Sequence, residues 1–276
     1  ENNIDRRAVS SRRLGTDLRS GKYRFCREHF DTHPTVIGGI TTAAAAVGTT
    51  GARNFISSGS GFVIEQFMLG AGQTLIAPVL VSSPNEGWSV GLDQTDNEGA
   101  EYAFGPTPTT SATRRGLAFK VGTDPAFYAK LRFSHADVSG SDDLCFGFRK
   151  QEAGATALET YTDYAGIGWN TAANPAAIKL RTTLNDGTAV NTDTTDTFAD
   201  AALKTFEVYV SSGGVVTYKI GGVAPTVTAA YTFDTGDIVV PFFYNIYATT
   251  SPGVIVFTGF ECGLQAGDAL EDPAAL

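Results

Sequence analysis

"TFEVYVSSGGVVTYKIGGV" (205–223) decides the fold class. Phe206, Val208 and Val210 fall on one side of an extended chain, and Thr205, Glu207 and Tyr209 fall on the other, the period of two that a half-buried strand requires. Ser211-Ser212-Gly213-Gly214 then supplies a tight turn, with glycine available for positive φ, and Val216, Tyr218 and Ile220 restart the alternation. This is an antiparallel hairpin with one buried face.

The same pattern runs outward through most of the chain. Its 276 residues include 31 Gly, 18 Phe, 10 Tyr and 2 Trp, a composition that favours short strands and turns over helices. Strands are expected at 62–69, 74–81, 88–92, 100–104, 116–121, 127–136, 144–150, 165–169, 176–181, 206–210, 215–220, 238–247 and 254–262. That number fills the two sheets of an all-β antiparallel sandwich. In "AFYAKLRFSHADV" (126–138), Phe127, Ala129, Leu131 and Phe133 point to the core, while Tyr128, Lys130, Arg132 and Ser134 face solvent or a partner. The uncharged window 238–260 has the length of a membrane span but contains Pro241, Asn245, Pro252 and Gly253. It reads as two strands around "TTSPG", and no membrane partner is expected.

Charge divides the chain unevenly. Residues 1–33 carry Arg6, Arg7, Arg12, Arg13, Arg19, Lys22, Arg24 and Arg27 against Glu1, Asp5, Asp17, Glu28 and Asp31, a net +3. The whole chain is −9, so the remaining 243 residues are −12. A basic arm over 1–33, lacking a core of its own, is expected to order only against something else. A Gly/Thr/Ala connector spans 34–58, the sandwich 59–265 and a polar tail 266–276. The arm's candidate partner-binding residues are Arg6, Arg7, Arg12, Arg13, Arg19, Tyr23, Arg24, Phe25, Arg27 and Phe30, with arginines pairing to carboxylates and the aromatics acting as apolar anchors. Docking on an acidic protein surface is the expected use and a solvated tail the plain alternative. Nucleic acid is not expected, because the arm lacks regular aromatic interleaving and the −12 body repels phosphate.

Catalytic signals are weak. Glycoside hydrolysis needs two carboxylates facing across the scissile bond, yet the strands offer single acids such as Glu207 and Glu261, and the close acids Asp142-Asp143 and Asp96-Asn97-Glu98 fall in turns. His29 and His33 lie in the arm, and His135 reads as a hydrogen-bonded residue at a strand end. No cofactor is expected; calcium is the one ion whose oxygen ligands the sequence offers, in "DQTDNEG" (93–99) and "LNDGTAVNTDTTD" (184–196), neither with EF-hand spacing. Cys26, Cys145 and Cys262 form no paired spacing and read as three free thiols. The chain opens with charges and has no apolar leader, so no signal peptide is expected in it.

"DNEGAEYAFG", "GLAFKVGTDPAFYAKLRFSHADVSGSDDLCFGFRK", "AGIGWN", the opening hairpin and "VVPFFYNIYATTSPGVIVFTGFECGLQ" follow one another in an order that resembles the concanavalin-like (laminin-G-like) jelly roll. More particularly, it resembles the version found in structural proteins of tailed bacteriophages, over about 60–265. The resemblance implies a non-enzymatic virion role, a decoration or cement protein or head fibre on the capsid exterior. It would bind the major capsid protein or other virion proteins, form a homo-oligomer there, and pass through the host cytoplasm during assembly. The alternatives are a carbohydrate-binding module that stacks host glycan on Tyr102, Trp88 or Trp169, and a polysaccharide-active glycosidase. The glycosidase pattern Glu-x-Asp-x-x-Glu is absent.

Overall fold

The computed structural model describes residues 25–39, 53–58, 63–69, 77–83, 85–90, 98–105, 117–170, 173–248 and 255–265. Within them the chain forms β1 (Phe25–Glu28), β2 (Thr35–Gly39), β3 (Arg53–Ser57), β4 (Val63–Leu69), β5 (Val79–Val81), β6 (Gly87–Ser89), β7 (Gly99–Ala103), β8 (Phe119–Lys120) and β9 (Phe127–His135). Beyond these come β10 (Ser141–Lys150), β11 (Tyr164–Trp169), β12 (Ala176–Thr183), β13 (Val190–Phe198), β14 (Leu203–Val210), β15 (Val216–Ile220), β16 (Ile238–Tyr247) and β17 (Ile255–Leu264). A seven-stranded sheet has the order β15-β14-β9-β17-β6-β5, with β1 also paired to β17. A ten-stranded sheet has the order β13-β12-β11-β10-β16-β7-β4-β3-β2, with β8 also paired to β16. The chain passes between sheets after β1, β4, β6, β8, β9, β13, β15 and β16, so each sheet is stitched from strands distant in sequence. The protein is an all-β, two-sheet antiparallel jelly-roll sandwich.

The inner faces meet in one aromatic core. Phe133 of β9 packs against Phe206, Phe198 and Phe243 with ring centroids 5.1, 5.3 and 5.6 Å away, which joins three strands of three different sequence regions. Offset and edge-to-face rings of this kind contribute beyond their buried area. The opening hairpin is present as β14 and β15, with Val208 opposite Tyr218 and Val210 opposite Val216. Gly214 closes it at φ +89°, and a Cβ there would meet the Phe233 carbonyl oxygen at 2.3 Å, so no other residue fits. Window 238–260 is two strands, β16 and β17, as its prolines indicate. No helix among the described residues is long and apolar enough to cross a membrane.

The boundary drawn at residue 59 requires correction. β1 pairs with β17 in the register Cys26 to Cys262, and Phe30 is fully buried against Trp88, 5.0 Å between rings. Glu28 is buried too, accepting from the Phe30 amide at 3.1 Å and from Ser58 Oγ at 2.6 Å, and Trp88 Nε1 donates to the Thr32 carbonyl at 2.7 Å. β2 and β3 lie at one edge of the large sheet, in the segment expected to be a connector. The sandwich therefore includes Phe25–Glu28 and the chain around Phe30. With the charged Glu28 taking an inward position between Cys26 and Phe30, the period of two is hidden in the sequence and shows only against the partner strand. β13 was not expected either. Its "VNTDTTDTF" is polar because β13 is an edge strand, pairing only with β12 among the described residues and exposing most of its length.

Candidate functional site

The outer face of the ten-stranded sheet carries Glu65 and Phe67 on β4, Glu101 on β7, Phe242 and Tyr244 on β16, Cys145 and Arg149 on β10, Tyr164 on β11 and Arg181 on β12. Residues 151–163, between β10 and β11, lie across this face and close it. Leu158 and Tyr161 pack with Phe67, Leu69, Cys145, Tyr164, Phe242 and Tyr244 in a second apolar cluster. A Cβ at Gly154 would come within 3.0 Å of the Phe67 ring, so glycine lets the segment lie flat there. Tyr244 Oη donates to the Thr156 carbonyl at 3.0 Å and ties the segment down from the sheet side.

Beneath this cover sits an ion pair with no solvent exposure. Arg149 donates from Nη2 and Nε to Glu101 Oε1 at 2.6 and 3.1 Å, and from Nη1 to the Lys150 and Glu152 carbonyls at 3.0 and 3.1 Å. Tyr161 donates to the other Glu101 oxygen, accepts from the Ala155 amide at 2.9 Å, and lays its ring 4.5 Å from the guanidinium carbon. Burial works against the Arg149 charge, and Glu101, with Tyr161 and Glu152 adding to it, more than offsets that, so the guanidinium is held protonated. Arg181, also buried, pairs with Asp143 and with Glu159 at 2.7 Å, the latter from the covering segment.

Among the described residues, the outer face of the seven-stranded sheet leaves the Arg27 side chain about half exposed and that of Lys130 about one third exposed, while Glu207 is buried. The register of four strand pairs places Arg27, Glu261, Lys130, Glu207 and Lys219 side by side on β1, β17, β9, β14 and β15, a row of alternating charge. Arg27 donates to Glu261 at 2.7 Å from Nε, and Lys130 lies 3.8 Å from Glu261 and 3.7 Å from Glu207. Tyr128 and Tyr209 are opposite each other on the next row, stacked at 5.8 Å and 28°. Tyr128 Oη donates to Glu261 at 2.7 Å and Tyr209 Oη to Glu207 at 2.5 Å. Lys130 stands 5.2 Å from the Tyr128 centroid, and Lys219 5.2 Å from that of Tyr209. Burial, followed by the neighbouring carboxylates, raises both phenol pKa values.

Tyr128, Lys130 and Arg132 lie on the outward row that the alternation predicts. Of the arm's candidate residues, Arg27 belongs to this face, paired to Glu261. Phe30 belongs to the core, not to an exposed anchor, because β1 turns it inward beside Trp88. Phe25 lies on β1, and Arg6, Arg7, Arg12, Arg13, Arg19, Tyr23 and Arg24 fall outside the described residues. Tyr102, Trp88 and Trp169, the candidate sugar platforms, are all core residues and offer no exposed ring.

His135 is buried, accepting from the Asp137 amide at 3.2 Å on Nδ1. Residues 93–97 of the first acidic loop fall outside the described residues. In the second, Asp193 accepts from the Thr195 amide at 2.8 Å and Asn191 from Arg181 at 3.0 Å, ordinary turn and pairing roles. No group of three or more His, Cys, Asp or Glu among the described residues is arranged to hold a metal ion. A cleft of about 530 Å³ lies at the β12–β13 hairpin, lined by Thr182, Thr188, Val190, Tyr231 and Thr232 among others, without a charged group.

Neither protein-family models nor curated proteins match the chain. Solved structures resemble it in the course of the backbone. A protein of unknown function from Shewanella oneidensis MR-1 is 9% identical with a TM-score of 0.48, covering 91% of this chain and 90% of its own. Peanut lectin is 11% identical with a TM-score of 0.45, covering 87% and 97%. A prokaryotic β-1,3-1,4-glucanase from a mouse hindgut metagenome is 11% identical with a TM-score of 0.40, covering 86% and 98%. The likeness concerns the course of the backbone alone, and what the chain itself shows is a sandwich of two antiparallel sheets.

Proposed function

We propose that the chain is a non-enzymatic structural protein of a bacteriophage virion, a decoration or cement protein on the exterior of the head. It meets neighbouring subunits through the outer face of the seven-stranded sheet, helped by the basic residues that precede Phe25. The observation that carries this reading is the row Arg27, Glu261, Lys130, Glu207 and Lys219. A rigid five-strand face of alternating sign suits surface-to-surface contact in a fixed register, where charge sets orientation more than affinity. The other face supports a non-enzymatic role, since its Glu101 is neutralised by Arg149 and covered by residues 151–163. Burial of surface across neighbouring capsomers would then offset internal pressure. The partners are the major capsid protein and further copies of this chain.

A carbohydrate-binding role is the second reading, favoured by the Tyr128–Tyr209 stack beside two carboxylates that can accept from sugar hydroxyls. Against it, Lys130 and Lys219 stand over those rings. Occupancy on purified heads lacking this protein separates the readings. Full-length chain should bind, while Lys130→Glu and a chain starting at Phe25 should each bind less. Equal occupancy by all three overturns the proposal, and glycan-array binding lost in Tyr209→Ala favours the second reading.

A further inference from the structure

Two of the three cysteines, 236 positions apart in sequence, face each other in the fold. Cys26 on β1 lies directly opposite Cys262 on β17, and both belong to the core cluster, so their side chains leave the sheet on the same side. Cys145 is elsewhere, on the outer face of the other sheet in the second cluster. We propose that Cys26 and Cys262 form a cross-strand disulfide when the chain meets a small-molecule disulfide such as oxidised glutathione, stapling the first described strand to the last.

The geometry fits the bond. Opposed residues in an antiparallel pair have Cα atoms about 4.5–5.5 Å apart, inside the roughly 4.4–6.8 Å window of disulfides. Their Cβ atoms start about 4.5–5.5 Å apart and must close to about 3.5–4.5 Å. β1 can yield that distance, because it is four residues long and pairs only with β17 among the described residues. The exchange proceeds in two steps. The Cys26 thiolate attacks one sulfur of the glutathione disulfide and releases a glutathione thiol. The Cys262 thiolate then attacks the Cys26 sulfur and releases the second. Two protein thiols are oxidised, one glutathione disulfide is reduced to two thiols, and each thiol proton ends on a departing glutathione. Burial, then the nearby Glu28 and Glu261 carboxylates, hold the Cys26 thiol well above its usual pKa; burial does the same for Cys262. Exchange in the closed fold therefore waits on opening of β1, and in reducing solution the thiols stay free.

The test removes that access barrier. The full chain is unfolded in urea and refolded in mixed reduced and oxidised glutathione. The denatured thiol count should fall from the three of the reduced chain to one, with a mass loss of about 2 Da and a non-reduced peptide linking Cys26 to Cys262. The midpoint of thermal unfolding should rise by about 5–10 °C over the reduced protein. Cys145→Ser should keep the bond and the shift, and Cys26→Ser should lose both. Three remaining thiols, a bond through Cys145, or a glutathione adduct at Cys26 or Cys262 without a link overturns the proposal. A linked chain with an unchanged midpoint overturns the stapling role.

Discussion

The outer faces of the two sheets are made from similar side chains, arginine or lysine beside glutamate beside tyrosine, and the two faces do different things. On the ten-stranded sheet the set Arg149, Glu101 and Tyr161 is roofed by residues 151–163 and has lost its water. On the seven-stranded sheet the set Lys130, Glu207, Glu261, Tyr128 and Tyr209 keeps Lys130 about one third exposed. Desolvation separates them. A pair taken out of water is expensive to break, whereas a pair at the surface contributes little to stability and remains available to a partner.

The sharpest way to break this comparison is on the covered side. Arg149→Ala leaves Glu101 as an uncompensated buried charge and should reduce stability by about 3–5 kcal/mol in urea unfolding. The double change Arg149→Met with Glu101→Leu should recover most of that loss. A double variant as unstable as the single one would mean that the pair is not the origin of the effect.

In the interior, acid acts on His135. Burial lowers the His135 pKa from 6.5 to about 4, with Asp137 opposing weakly. Between those values the unfolded chain binds a proton that the folded chain does not, so stability falls as pH drops through this window. The total is about 3 kcal/mol, and His135→Leu should flatten that part of the acid limb in a pH series of urea midpoints.

Much of this arrangement was legible one strand at a time. Alternation in 127–135 and 205–210 shows that Tyr128, Lys130, Glu207 and Tyr209 point outward. What joins them into two adjacent rows on one face is the register between β9, β14 and β17, which no single strand's sequence carries. Glu101 and Arg149 are separated by 48 positions, and no local pattern links them. The covering segment "QEAGATALETYTD" reads as a polar loop, since Tyr161 and Leu158 become apolar anchors only when a sheet face lies under them. β1 to β3 were hidden for a related reason: strands at or near an edge carry polar or glycine-rich sequences, and the strands beside them, rather than their own composition, hold them.

Two smaller effects sharpen the comparison. Tyr161→Phe removes one hydrogen bond from Glu101 and one acceptor from the Ala155 amide, and should reduce stability by about 1–2 kcal/mol. Lys130→Ala on the outer face of the seven-stranded sheet should change it by less than about 1 kcal/mol in the same assay. If Lys130→Ala proves as damaging as Tyr161→Phe, the charged row is a structural element rather than a contact surface.

The pairing of β1 with β17 also has a mechanical meaning. The strands are antiparallel, so Phe25, where β1 begins, lies beside Gly263, near where β17 ends. Tension applied outward at those two points loads the hydrogen bonds between the strands one after another, as in a zipper, rather than all together in shear. A load carried into the domain along the segment before Phe25 would peel four residues from the sheet before it strained the aromatic core. The strand is a fuse for force, and a bond between Cys26 and Cys262 would stop the zipper after its first tooth.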